Sequence, residues 1–450
     1  MSLWELIEKS GISPVSVRGD TRVLISGIEN DSRKVTPGDL FICCVGYKTD
    51  GHLYISEAIE RGAVAVVASE EVNLDGAVVS SVVLEETNSI LALLSATFYH
   101  NPSKNLSVIG VTGTNGKSTT THLVKGIFEA MGIKIGMLGS IAYCIYGNHN
   151  LEATNTTPNA VMTQKLMAKM VHNGTKAMVM EVSSIGLAID RCKEIDFDVA
   201  VFMNLTRDHQ DFHKTEEEYR NCKAKLFRRM VDLKKHRKIV NIDDPNASFF
   251  IAEGNPDVPV VTFGMENKEA DVYPLKVELS LLKTWVAVKT PKGVLEISSG
   301  LIGRFNVYNI LAAVSVGIAV GIPVEDIVKG IKDVDGVPGR FELINEGQNF
   351  AVVVDYAHSP DSFSRLLDAA RELGARRIIT GMVLLILSTY FLYVLCVLFI
   401  SSYAFCQLHQ TYMSVWLMCW RGWLVVPYSC ILRLNFVGMR ETYNCSGECL

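Results

Sequence analysis

A glycine-rich loop carries the densest chemistry in the chain. In Val108-Ile-Gly-Val-Thr-Gly-Thr-Asn-Gly-Lys-Ser-Thr-Thr120, strand-forming residues give way to Gly113-Thr114-Asn115-Gly116-Lys117-Ser118-Thr119, which opens a helix. Backbone N–H groups of such a turn and of the first helical turn cradle phosphate oxygens. Lys117 is spaced to set its ammonium against β- and γ-phosphates, and Ser118 to bring a hydroxyl into a Mg²⁺ shell. The general phosphate-loop pattern wants glycine five positions before Gly116, and Val111 stands there, so the match is to a variant. An ordinary turn would not need Gly, Lys and Ser together at these positions. The loop therefore predicts a nucleotide site.

The elements around it must hold that loop at the end of a sheet. From residue 106 the pattern is βαβ: a strand over 107–111, a helix over 119–131 and a strand over 134–138. Strand-like runs recur at 177–181, 199–204 and 237–241, and a helix follows over 306–321. Upstream, strands are expected near 39–45, 63–68 and 82–85, with helices over 52–61 and 88–99. A third unit opens at Val337-Pro-Gly-Arg-Phe-Glu342 with a strand over 350–355, a helix over 359–373 and a strand over 376–379, where it stops. The expected class is α/β with three domains: 1–103, 104–335 around the phosphate loop, and the start of a third over 336–381. Residues 382–450 form an aberrant apolar tail.

With 450 residues the chain is long enough for several cores, and a net charge of -5 argues against nucleic acid as a main partner. The mean hydropathy of +0.22 hides two populations. Five cysteines before residue 382, at Cys43, Cys44, Cys144, Cys192 and Cys222, lack ligand spacing and fit a reducing compartment. The opening residues show no basic lead before an apolar run, so no secretory signal is expected, and a plastid transit peptide is not visible.

Distant segments share the loop's context and closely resemble the Mur ligase family. They are Asp31-Ser-Arg33 with Pro37-Gly-Asp-Leu-Phe41 and Asp50-Gly-His52, Asn155-Thr-Thr-Pro158, Glu181-Val-Ser-Ser184, Asn204-Leu-Thr-Arg-Asp-His209 with Asp211-Phe-His213, Tyr219 to Phe227, Gly303-Arg-Phe-Asn306 with Asn309, Pro338-Gly-Arg340 and Asp355-Tyr-Ala-His358. The resemblance implies three Mur ligase domains and an ATP-dependent ligase. Its reaction would add the third amino acid to UDP-N-acetylmuramoyl-L-Ala-D-Glu through an acyl phosphate in peptidoglycan synthesis. It implies ATP and Mg²⁺ as cofactors, and UDP-N-acetylmuramoyl-dipeptide with an amino acid as partners. Lys117, Glu181, His209 and Lys223 would be catalytic, and Ser118, Glu181, His209 and a carbamylated Lys223 would hold metal. Asn309 would meet adenine and Asp355 the ribose, with Arg340 and His358 completing the ATP site. Ser32 and Arg33 would meet the uracil-diphosphate end; Asn155, Thr156, Thr157, Ser183 and Arg191 would hold the muramoyl-peptide.

Spacing alone reads Lys223 as a solvated lysine, because Lys225 lies two positions away; the resemblance reverses that reading. His213 is expected to form a local hydrogen bond or support the site rather than bind metal. Where the family has histidine after Glu181-Val-Ser-Ser184, this chain has Ile185, and Ile189 stands where relatives can carry glutamine. Each isoleucine removes hydrogen-bonding capacity and leaves any partner unsatisfied. A rival reading follows: a catalytically weak or inactive plastid homologue associated with plastid transcription and chloroplast development, located in the stroma where the ligase reading implies cytoplasm. The related folylpolyglutamate synthetases share the loop but not the Asp31-Ser-Arg33 and Asn155-Thr-Thr segments.

From Met382 to Leu450 only Arg421, Arg433, Arg440, Glu441 and Glu448 are charged, while six of the eleven cysteines fall there. The charge-free run 382–405 is long enough for a membrane span, so a tail anchor with membrane contact is one expectation. A frame or splicing discontinuity is the preferred one, because an anchor would leave a half-built third domain with an unpaired parallel sheet. The segment that selects the third amino acid, diaminopimelate or lysine, is expected beyond the break. If the tail is genuine, the expectation is loss of ligation, since Arg340, Asp355 and His358 would lack a folded domain.

Overall fold

Short apolar runs between amphipathic helices become strands buried on both faces, which is what a parallel sheet requires. The computed structural model describes residues 1–46, 49–74, 79–348, 350–358, 360–375, 377–386 and 392–401. Its central sheet runs in the order Val260–Phe263, Arg237–Asn241, Val199–Phe202, Ser107–Thr112, Ala177–Glu181, Ile135–Leu138, Ala142–Tyr146, His149–Glu152. The first six strands are parallel and the last two antiparallel. Ser107–Thr112 lies between Ala177–Glu181 and Val199–Phe202, so the chain leaves it toward one side and returns on the other. Ligand sites of open α/β sheets form at such a switch point, beyond the carboxyl ends of the strands.

Helices Lys117–Ala130, Arg304–Ala319 and Val324–Lys332 cover one face, and Ala160–His172, Glu216–Phe227 and Ala247–Ala252 the other. Arg304–Ala319 buries nearly every residue from Asn306 to Gly317, as a helix apolar all round must. Lys117–Ala130 meets Val324–Lys332 at two glycines. A Cβ on Gly126 would lie 2.6 Å from the Gly330 carbonyl oxygen, and one on Gly330 would strike the Ile127 backbone. That contact fixes the depth of the phosphate-loop helix.

The first domain is a five-stranded sheet ordered Ser16–Arg18, Ser80–Val83, Ala65–Ala68, Asp39–Ile42, Gly27–Glu29. It is tied to the central domain by Asn159 Nδ2 donating to Asn30 Oδ1 at 3.2 Å and by a Lys165–Glu29 ion pair at 3.3 Å. A three-stranded meander, Tyr273–Leu279, Thr284–Thr290 and Gly293–Ser299, precedes Arg304–Ala319.

The third unit departs from expectation. Its strand does not stop near residue 379 but runs Arg377–Ile386, and Leu392–Ser401 returns beside it. The sheet order is Glu342–Ile344, Ala351–Asp355, Leu392–Ser401, Arg377–Ile386. The strands expected as parallel neighbours are separated by Leu392–Ser401, which is antiparallel to both. The physical reason lies in the composition: Leu392–Ser401 is rich in Val, Leu, Ile and Phe, without Pro or charge, and suits a strand between two others. Much of the run 382–405 expected as a membrane span is therefore strand backbone. Among the described residues no helix is long and apolar enough to cross a membrane. Residues 387–391 and 402–450, with the rest of the tail and its cysteines beyond Cys396, lie outside the described residues.

Candidate active site

Three loops at the carboxyl ends of adjacent strands converge. After Ser107–Thr112 the chain turns through Gly113, with φ 150°, to Gly116, with φ 87°, and the helix starts at Lys117. A side chain at Gly113 would press on Met203 and the Asn204 backbone, and one at Gly116 on the Asn309 carboxamide. The loop is braced by the next strand's end. Thr114 N–H donates to the Asn204 carbonyl at 2.9 Å, Asn115 N–H to Asn204 Oδ1 at 2.9 Å, and Asn204 Nδ2 back to the Asn115 carbonyl at 3.1 Å. Ser118 and Thr119 are buried in the first helical turn.

Two lysines share one acceptor. Lys117 Nζ donates to the carbonyls of Gly113 and Thr114 at 2.9 and 2.7 Å, and Lys223 Nζ donates to the same Gly113 oxygen at 2.9 Å. Lys223 is only 1% exposed, on helix Glu216–Phe227, and its amine stands 4.4 Å over the Tyr219 ring. Two full charges at most about 6 Å apart repel by about 3 kcal/mol at an effective dielectric near 20. Burial, followed by the Lys117 charge, holds the Lys223 amine well below its usual range, and Asp208 opposes the shift. Burial likewise lowers Lys117, with Glu181 opposing. His209 follows Asp208 in a left-handed backbone conformation, φ 51°, a strained geometry typical of functional loops. Its imidazole lies 3.6 Å from the Asp208 carboxylate, and burial lowers its basicity.

Glu181 ends its strand as a buried carboxylate. Ser140 N–H donates to it at 2.8 Å and Ser140 Oγ at 3.1 Å, and Ser140 Oγ also reaches Thr156 Oγ1 at 3.1 Å. Thr157 Oγ1 donates to the Glu181 carbonyl at 2.9 Å and accepts the Ser183 N–H at 3.0 Å. Ser183 Oγ caps helix Ser184–Ala188 through Gly186 N–H at 3.1 Å, and Arg191 Nη1 donates to the Thr157 carbonyl at 2.7 Å. Asn155 is fixed by its backbone, exchanging hydrogen bonds with the Tyr143 hydroxyl at 2.7 and 3.0 Å. Asn155, Thr156, Thr157, Ser183, Arg191 and Glu181 thus form one connected rim.

Arg340 reaches across from the third unit. Its Nη2 donates to Ser118 Oγ at 3.0 Å, and its guanidinium lies 4.9 Å from the Tyr356 ring centre. Asp355 accepts the Phe341 N–H at 2.8 Å, and burial raises its carboxyl above the usual range. Asn309 is buried, its Nδ2 donating to Asn306 Oδ1 at 2.8 Å while Thr120 Oγ1 donates to its Oδ1 at 3.4 Å. His358 is exposed and bonds locally to the Tyr356 carbonyl at 2.9 Å. Ser32 and Arg33 keep to their own domain: Ser32 Oγ donates to Glu57 at 2.7 Å, and the exposed Arg33 forks onto Asp31 at 2.8 and 2.9 Å. Ile189 is half exposed at the end of helix Ser184–Ala188, where Lys225 Nζ donates to the Leu187 carbonyl at 3.1 Å.

Among the described residues no cluster of three or more His, Cys, Asp or Glu is arranged for a metal ion. The expected donor set fits Mg²⁺ through its chemistry: Ser118 hydroxyl and Glu181 carboxylate are hard oxygen donors, and a carbamate on Lys223 would add two more. Sequence reasoning left Asn204, Ser140, Tyr219 and Asp208 without roles of their own. The first three brace the loop, Glu181 and Lys223, while Asp208 is the counter-charge to both lysines. Asn204, Asp208 and Tyr219 stood inside quoted motifs; Ser140 carried no signal.

Three family profiles match the chain: Mur ligase family, catalytic domain, over 24–103; Mur ligase middle domain, over 111–317; and Mur ligase, glutamate ligase domain, over 339–384. The chloroplastic homologue of UDP-N-acetylmuramoyl-L-alanyl-D-glutamate–2,6-diaminopimelate ligase from Arabidopsis thaliana is 58% identical over 384 residues, 84% of this chain and 49% of that protein. The ligase of that name from Bacillus velezensis is 42% identical over 353 residues, 78% of this chain and 71% of its own. A solved structure of a ligase with the same name has a TM-score of 0.67 at 26% identity, covering 82% of this chain and 74% of that one. The chain spans about half the length of the curated plant relatives it matches.

Proposed function

This chain belongs to the Mur ligase family, and on that premise we propose that its site serves ATP-dependent amide-bond formation. The reaction adds the third amino acid to UDP-N-acetylmuramoyl-L-alanyl-D-glutamate, with 2,6-diaminopimelate, named for the relatives, as the acceptor. The observation that supports this reading best is the single Gly113 carbonyl that takes both Lys117 and Lys223.

Lowered basicity raises the share of the Lys223 amine that carries a free lone pair. Attack on CO₂ forms an N–C bond, moves one C–O π pair onto oxygen and releases the N–H proton to solvent. The product is an anion, so repulsion from Lys117 becomes attraction. Glu181, Ser118, His209 and the carbamate would then hold Mg²⁺, which would supply positive charge to offset that of the phosphates and the attacking carboxylate. Lys117 and the loop amides hold the polyphosphate. Arg340 supplies a further positive group from the third unit, while Asn309 and Asp355 meet adenine and ribose. The rim Asn155–Ser183–Arg191 orients the dipeptide carboxylate toward the γ-phosphate. Ser32 and Arg33 receive the uridine end. The substrate carboxylate displaces ADP to give an acyl phosphate, and the acceptor amine then expels phosphate.

The test is phosphate release by the full chain with ATP, UDP-N-acetylmuramoyl-dipeptide and diaminopimelate. Lys223→Ala is expected to lower turnover by roughly 1,000-fold, as loss of a group stabilising developing charge does. Lys117→Ala is expected to weaken nucleotide binding as well. ATP binding without substrate-dependent phosphate release would instead favour a non-catalytic plastid protein. The identity of 58% to a chloroplastic homologue supports the plastid as the location.

A further inference from the structure

One buried histidine beside this machinery has no part in the ligation chemistry. His213 is 2% exposed. Its Nε2 and Ser184 Oγ are hydrogen-bonded at 2.9 Å, while Nδ1 has no partner among the described residues. Burying a ring nitrogen without a partner is unfavourable, so packing alone does not account for an imidazole here. The ring lies 5.2 Å from that of Tyr219, whose face carries the Lys223 amine and whose hydroxyl bonds with Thr114 Oγ1 at 3.1 Å. The His213 backbone N–H donates to the His209 carbonyl at 2.9 Å. His213 therefore stands where the dipeptide rim, through Ser184 next to Ser183, meets the helix of Lys223 and the turn of His209.

We propose that His213 is a positioning residue for Lys223. Bridging Ser184 to the Tyr219 ring, it fixes the surface on which the amine rests and so sets where the carbamate forms beside Gly113. This rests on the carbamate reading of Lys223 given above. Removing the bridge frees Tyr219 to tilt, and the amine loses its fixed place between the Tyr219 ring and the Gly113 carbonyl.

The experiment is a titration of the full chain with ¹³C-bicarbonate, following the carbamate ¹³C resonance, alongside thermal unfolding. Lys223→Ala is expected to abolish the signal. His213→Gln keeps a polar group near Ser184 but removes the ring from Tyr219, and half-occupancy is expected to need roughly 10-fold more bicarbonate, the scale of lost support around metal ligands. Ser184→Ala, which leaves the ring in place, is expected to shift the titration in the same direction by less, and it decides alone if His213→Gln does not fold. Wild-type titration curves in both variants, whatever the melting temperature does, would overturn the proposal by leaving His213 a purely structural role. A wild-type chain with no Lys223-dependent signal would instead remove the carbamate reading itself, and the proposal with it.

Discussion

Gly113 accepts from two amines that repel each other, and the consequence reaches beyond ligation. The folded chain holds Lys223 below the ordinary lysine value of 10.5. Between the lowered value and 10.5 the unfolded chain binds a proton that the folded chain lacks, so stability rises with pH across that window. Lys223→Met should flatten the rise, read as urea midpoints between about pH 7 and 10, leaving a smaller slope from Lys117, which is shifted the same way. An unchanged slope would mean that Lys223 titrates normally. Lys117 was legible because Gly, Lys and Ser act within one local turn. Lys223 was not legible by spacing, because its helix carries Glu216, Glu217, Glu218, Arg220 and Lys225 around it. What its amine bonds to is a carbonyl 110 positions away. The same holds for Glu181, whose partner Ser140 lies 41 positions off in a loop without a motif.

At the scale of elements, the phosphate loop inherits its position from a helix pair. The pattern predicted a helix over 119–131, and it spans Lys117–Ala130, because the left-handed Gly116 ends the turn one residue before Lys117. Periodicity revealed that helix but not its neighbour at Gly330, since a glycine within an amphipathic helix gives no sign of what approaches it. Gly330→Ala drives a methyl into the Ile127 backbone, and overpacking of this kind costs about 1–3 kcal/mol. The check is a denaturant midpoint, with nucleotide affinity measured beside it. Both should fall, because the helix that bears Lys117 and Ser118 must shift to make room.

Across the whole molecule, hydropathy read residues 382–405 as a candidate span or a scar, since apolarity predicts burial but does not name the partner. In the fold, Leu392–Ser401 is a strand between two others, with Val397 opposite Val354 on one side and Gly381 on the other. Val397→Pro removes a ladder hydrogen bond from a strand that lies between two others and should destabilise the third sheet. Hydrogen exchange should then rise in Ala351–Asp355 and leave Ser107–Thr112 unchanged; protection retained in Ala351–Asp355 would exclude this pairing. The inserted strand also sets an order of events during translation. Ala351–Asp355, Pro360–Glu372 and Arg377–Ile386 all leave the ribosome before the strand that belongs between the first and the last of them. Pairings that wait for a later segment are slow and leave nascent edges open. The sheets spanning residues 16–83 and 107–263 need nothing from that segment. The phosphate loop can therefore assemble on the nascent chain while the unit bearing Arg340 still awaits its central strand.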